Sequence, residues 1–147
     1  MPTTVDRSLG PDAAAELLDC YETYEWWADR GESDLARALA GTDEVVALRD
    51  DETDDLVAAA RVLTDYTYHA AVYDVIVRAD RRGEGLGQEL MAALVTHPTL
   101  SELNLSLLAR DGLVSFYESC GFEELGAVER PGGEPEETRY LVYSRGE

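Results

Sequence analysis

Three glycines fall within five residues, Gly83, Gly85 and Gly87, between an apolar run and a regular apolar stripe. Upstream, Tyr73, Val75 and Val77 alternate with Asp74, Ile76 and Arg78, and most of both faces is apolar, as in a strand inside a sheet. Downstream, Leu86, Leu90 and Leu94 recur at helical spacing. Glycine at such a junction admits positive φ and lets a ligand approach the backbone closely. The free N–H groups of a helix start, together with its dipole, favour a phosphate there. The stretch therefore predicts a strand, an anion-binding turn and a helix.

The spacing excludes two common phosphate turns. A dinucleotide-binding G-x-G-x-x-G needs a third glycine where Gln88 stands, and a nucleotide P-loop needs a lysine, which this chain lacks entirely. The pattern that fits is R-x-x-G-x-G, read as Arg82-Gly83-Glu84-Gly85-Leu86-Gly87. Downstream stands Tyr117-Glu118-Ser119-Cys120-Gly121-Phe122, a Y-x-x-x-G-F run. The two motifs, in this order and with the elements between them, resemble the GNAT family (GCN5-related N-acetyltransferases) over roughly Val45 to Tyr143.

That resemblance implies a mixed α/β fold of six or seven mostly antiparallel strands, a central splayed strand pair and about four helices. It implies acetyl-CoA as acyl donor, with the pantetheine along the main chain of Val75, Ile76 and Val77. The pyrophosphate would be received by backbone N–H groups from Gly83 through Glu84, Gly85, Leu86 and Gly87 to Gln88, beside Arg82. A strand N–H near Val77 would meet the developing negative charge. Tyr117 matches the family's acid for the leaving thiolate; a phenol with a pKa of about 10 is protonated at neutral pH. Asp74 is a candidate base, with Asp65 and Tyr73 as alternatives. Trp26, Trp27 and Asp65 are candidates for the acceptor side. Direct attack by the amine is expected rather than a covalent step through Cys120, which falls on an apolar helix stripe and would need an activating base. Two positions depart from the family pattern. Glu84 puts a carboxylate in the pyrophosphate turn, and Arg110 stands where many relatives carry a CoA-contacting asparagine.

The expected activity is acetyl transfer to a primary amine of a small molecule. A protein acceptor, or a CoA-binding module without turnover, is the alternative. At 147 residues the chain has the length of one domain, 1–147. Its 31 acidic residues against 12 arginines give a net charge of −19, spread over every predicted loop and helix. Charge of that sign excludes a basic nucleic-acid face. An acidic mimic of nucleic acid and adaptation to a salt-rich cytosol both fit the number. The even spread and the missing lysine resemble proteins of salt-accumulating halophiles, whose surface carboxylates maintain solubility. No apolar run reaches the length of a membrane helix, and Met1–Arg7 lacks the regions of a signal peptide, so a cytoplasmic protein is expected. Cys20 and Cys120 are read as buried thiols. With His69 and His97 they show no metal-ligand spacing, so no metal is expected.

Along the chain, the sequence predicts a short strand at Thr4–Arg7, and a helix from Pro11 carrying Ala13, Leu17, Tyr21 and Tyr24 on one stripe. A second helix is capped by Ser33 and ended by Gly41. Strands are predicted at Glu44–Arg49, Leu56–Thr64, from Tyr73, and over Leu103–Ala109, Phe122–Val128 and Thr138–Ser144. Helices are predicted from Gly85 to Thr96 and around Leu113–Cys120. A homodimer through Thr138–Ser144 is open.

Overall fold

The computed structural model describes residues 2–25, 29–128 and 138–145. Among the described residues seven strands form one sheet in the order β1-β2-β3-β4-β5-β7-β6. They are β1 (Thr3–Asp6), β2 (Glu44–Asp50), β3 (Leu56–Thr64), β4 (Ala70–Val77), β5 (Leu105–Arg110), β6 (Glu123–Ala127) and β7 (Thr138–Tyr143). Among the described residues four α-helices accompany them: α1 (Ala14–Tyr21), α2 (Glu32–Ala40), α3 (Leu86–Val95) and α4 (Val114–Ser119). The expected mixed architecture is present, and most predicted boundaries lie within a few residues of the observed ones.

Some local expectations fail for physical reasons. α1 begins at Ala14 because Pro11–Ala13 forms a 3₁₀ turn, and Tyr24 lies beyond its end. Gly31, not Ser33, occupies the N-cap of α2, and no side chain caps that helix. The central strand starts three residues before Tyr73, because β3 holds Ala70–Val72 in its ladder as well.

Each face of the sheet carries its own apolar cluster. On one face α3 and α4 bring Leu86, Leu90, Met91, Leu94 and Tyr117 against Val46, Leu48, Val62, Val72, Leu105 and Leu107. On the other, α1 and α2 bring Leu17, Tyr21, Leu35 and Leu39 against Val45, Ala47, Ala59 and Ile76. These large side chains are almost all removed from water, each worth about 1.5–3 kcal/mol.

Two irregularities shape the middle of the sheet. Every neighbouring pair is antiparallel except β4 and β5, which run parallel and pair only at Ala70↔Leu105 and Ala71↔Ser106. Beyond those two pairs the strands splay apart. In β4 a bulge sets Asp74 and Val75 against the single residue Ala60 of β3, with Asp74 at φ +56°. The extra residue shifts the phase of the strand, so Val72, Val75 and Val77 face α3 whereas Ile76 faces α1, and the regular alternation expected through Tyr73, Val75 and Val77 breaks at Asp74.

Candidate active site

The site is built where β4 ends beside the splay and the chain turns into α3. Gly83 and Gly85 have φ +84° and +81°, and Gly85 is the N-cap of α3. A Cβ added at either glycine would meet nothing within 4 Å. These two glycines are needed for backbone conformation and leave open space above the turn. Gly87 serves packing instead, since a Cβ there would lie 3.0 Å from the ring of Phe116 on α4. The first helical bond runs from Glu89 N–H to the Gly85 carbonyl. The N–H groups of Leu86, Gly87 and Gln88 thus belong to the first turn, where a helix supplies no partner, and no side chain caps it.

Charge is arranged around this turn. The Arg81 guanidinium donates to Glu84 through Nε (3.0 Å) and to Asp50 Oδ2 through Nη1 (3.0 Å). Asp50 is buried at the end of β2, and its carboxyl lies below the usual range because the backbone N–H groups of Glu52 and Thr53, with Arg81, hold it ionised. The Glu84 carboxylate that looked adverse in the sequence is therefore paired. Arg82 is exposed in extended backbone immediately before Gly83.

Beside the turn, the edge of β4 faces the gap. Arg78 donates its amide to the Val57 carbonyl (2.9 Å), so strand alternation turns Val77 the other way, toward the splay. The Val77 carbonyl accepts from the Tyr24 hydroxyl (2.5 Å), and its N–H lies on the same open edge. The same alternation gives Val75 the open edge, while Ile76 pairs with Ala59 and commits its main chain to β3. The side chains of Val75 and Val77 pack toward α3.

Tyr117 on α4 is 6% exposed, with its ring edge-on to Phe116 (5.0 Å) and Phe122 (5.9 Å). Burial pushes its phenol up to about 12, with the neighbouring Cys120 adding to the shift. Among the described residues no hydrogen bond from its hydroxyl is found. The phenol is protonated at neutral pH.

Asp74 sits between two guanidiniums. Arg30 Nη2 is 3.1 Å from Oδ1, and Arg61 Nη2 is 2.7 Å from Oδ2. Burial raises its carboxyl, but hydrogen bonds from Arg30 and Arg61 outweigh that and leave it below its ordinary value. Asp74 is ionised at neutral pH but a weak proton acceptor. Asp65 organises the β3–β4 turn, with Oδ1 accepting from the backbone N–H groups of Thr67, Tyr68 and His69. Those bonds, His69 first, hold its carboxyl near 2. Trp26 and Trp27 lie outside the described residues.

Residues 41–124, more than half of the chain, match the acetyltransferase (GNAT) domain family. The chain belongs to the GNAT acetyltransferase family. GCN5-related N-acetyltransferase 2 of Arabidopsis thaliana, a chloroplastic protein, is 36% identical over 69 residues, covering 46% of this chain and 27% of that one. The chain likewise spans 37% and 57% of the length of the N-acetyltransferases ycf52 of Gracilaria tenuistipitata var. liui and Porphyra purpurea, so it covers less than two thirds of these relatives. Among solved structures, the ribosomal-protein-S18-alanine N-acetyltransferase of Escherichia coli superposes with a TM-score of 0.78 at 18% identity, covering 99% of this chain and 97% of that one. An aminoglycoside 6'-N-acetyltransferase complexed with coenzyme A gives 0.74 at 15%, covering 97% and 96%. These two structures share the GNAT fold.

The remaining titratable groups have local explanations. Cys20 and Cys120 are both free. Cys20 is buried, and desolvation pushes its thiol to about 11. Cys120 is half-buried rather than fully so, and burial raises its thiol too, which suits packing and not a nucleophile. Buried His97 accepts from Thr99 N–H at Nδ1 (3.2 Å), and its Nε2 lies 3.1 Å from Glu44. Among the described residues no group of three or more His, Cys, Asp or Glu is placed to hold a metal ion. No described helix is long and apolar enough to cross a membrane.

Sequence reasoning missed four contributors: Tyr24, Asp50, Arg61 and Arg81. Each acts through a partner more than a dozen residues away. For Arg81 one signal was present, since an arginine three residues before Glu84 on a tight turn can reach back to it.

Proposed function

We propose that this chain is an N-acetyltransferase that moves acetyl from acetyl-CoA to the primary amine of a small molecule by direct attack. The observation that carries the reading is the open space above Gly83 and Gly85, at an uncapped helix N-terminus beside the splayed strands. A phosphate fits that cradle, and any side chain at Gly83 or Gly85 would intrude on it. When bound, acetyl-CoA supplies an activated thioester.

The chain's own residues then have distinct tasks. The amides of Leu86, Gly87 and Gln88, with Arg82, hold the phosphates, and Arg81, shared with Asp50, offsets part of the Glu84 charge. The open edge of β4 at Val75 and Val77 aligns the acyl arm. The Val77 N–H donates to the acyl oxygen as negative charge grows on it. Tyr117 gives its proton to the departing sulfur. With both carboxylate oxygens occupied, Asp74 can take a proton only by loosening its ion pairs. We assign amine deprotonation to solvent and give Asp74 the task of anchoring Arg30 and Arg61 beside β4. We place the protein in a salt-rich cytoplasm on the strength of its charge. Its melting temperature should then rise steadily from about 0.1 M to about 2 M KCl as carboxylate repulsion is screened, and a flat or falling curve overturns that placement.

Thermal unfolding with and without acetyl-CoA tests the assignment. Ligand at about 100 times its Kd adds roughly 2.7 kcal/mol of stability. The shift should be absent in Gly85→Glu, which fills the phosphate space. No shift in the wild type at any salt concentration would make the glycine turn a scaffold and end the transferase reading.

A further inference from the structure

We infer that the acceptor is an amine carried on an apolar, preferably aromatic, body and not a polycation, and that Tyr73, Leu108 and Tyr140 form the wall it lies against. The inference rests on the transferase reading above and deepens it. α3 and its N-terminus stand on one face of the sheet, so an acceptor reaches the splay from the other.

Register identifies the side chains on that other face. Ala71 and Ser106 are the last pair before β4 and β5 part, and two residues further along each strand stand Tyr73 and Leu108. Leu108 is paired across β5 and β7 with Tyr140. The alternate residues Val72, Leu105, Leu107 and Leu141 are buried against α3 and α4, which fixes Tyr73, Leu108 and Tyr140 to the opposite side. Their exposures are 44%, 55% and 37%, with Leu108 and Tyr140 paired on one side of the splay and Tyr73 on the strand at its other side. Single exposed apolar residues are ordinary, whereas a contiguous set marks a binding surface.

The charge around this wall differs from the rest of the molecule. The chain has 31 acidic residues and 12 arginines. By register and ion pairing, Arg61 stands opposite Tyr73, with Asp74 bound to Arg61 and Arg30 next to it, Arg110 lies two residues beyond Leu108 on β5, and Glu123 lies opposite Val142. Among these groups three arginines stand against two carboxylates. A polyamine or an amino sugar with several ammonium groups is recognised by clustered carboxylates, and the described residues named here form no such cluster. Two tyrosine rings and a leucine suit an aromatic or aliphatic body, whose burial is worth more there than charge.

Thiol release from acetyl-CoA by the full chain, with phenethylamine, spermidine, kanamycin and an alanine-initiated peptide as acceptors, decides the matter. Phenethylamine should give the highest kcat/KM, by about tenfold or more. Leu108→Asp should raise its KM about tenfold, with the KM for acetyl-CoA within about twofold of wild type. Tyr73→Ser should act in the same direction, and serves if the aspartate impairs folding. Faster turnover of spermidine, kanamycin or the peptide overturns the inference, as does indifference of the phenethylamine KM to both substitutions. So does a dimer in light scattering that Leu108→Asp dissolves, because the wall would then be covered by a second copy. An acetyl-CoA thermal shift without phenethylamine turnover sinks this inference alone. Absence of the thermal shift removes the transferase reading with it.

Discussion

Replacing Asp74 with asparagine separates an anchoring role from a catalytic one. Asparagine is nearly isosteric and tolerates the positive φ of +56° at this position, so the substitution removes little but charge. The carboxylate side chain is 12% exposed, Arg61 15% and Arg30 33%. Breaking a fully buried ion pair costs about 3–5 kcal/mol, and an exposed one about 0–1 kcal/mol. This triad lies between those limits, which gives about 2 kcal/mol, or a melting temperature lower by roughly 4–8 °C in a domain of this size. The folded carboxyl titrates below its ordinary value of 3.8. Its stabilising contribution is therefore present above 3.8 and lost as pH falls through the folded value. The gap between wild type and variant should stay constant from about pH 5 to pH 8 and close only in stronger acid. The assay is urea unfolding across that pH range, with turnover measured per folded molecule. A gap under about 0.5 kcal/mol would refute the anchoring argument. A stable variant whose kcat falls by about a hundredfold or more would show that Asp74 is the base.

Tyr117→Phe keeps the edge-on packing with Phe116 and Phe122, so melting should barely move while kcat falls about a hundredfold. Because burial holds the phenol near 12, wild-type rates should show no loss from its ionisation below about pH 11. Gly85→Ala forces a Cβ onto φ +81° without a clash, costing about 1–2 kcal/mol of stability. The Kd for acetyl-CoA, followed by titration calorimetry, should weaken by about tenfold or more in that variant, since the methyl enters the phosphate space. Glu84→Gln should tighten acetyl-CoA a few-fold at about 0.05 M salt, with the difference vanishing near 1 M, where screening acts over about 3 Å.

The sequence by itself determined the parts of this protein that neighbours in the chain decide. The apolar content of Tyr73–Val77, glycines at 83 and 85 and the Leu86–Leu90–Leu94 stripe specify strand, turn and helix start, because φ preferences and side-chain periodicity act over a few residues, although the strict alternation read there is broken by the bulge at Asp74. The Y-x-x-x-G-F run placed Tyr117 on a helix with Gly121 after its end, and Gly121 does adopt φ +98°. The acid spread was legible for the same reason, since composition needs no geometry. What only the tertiary structure decided depends on residues far apart in the chain. The two-pair contact of β4 with β5 opens the gap, and no local signal marks where a parallel pair stops. The bulge opposite Ala60 is set by β3, and it turns Asp74 toward Arg30 and Arg61, 44 and 13 residues away. In the sequence Asp50 is one acid of the run Asp50–Asp55, with nothing local to set it apart; folding brings Arg81 to it across 31 residues. Ion pairs and strand register become defined only once the core has fixed which backbones are adjacent, because an isolated segment has no means of choosing a distant partner.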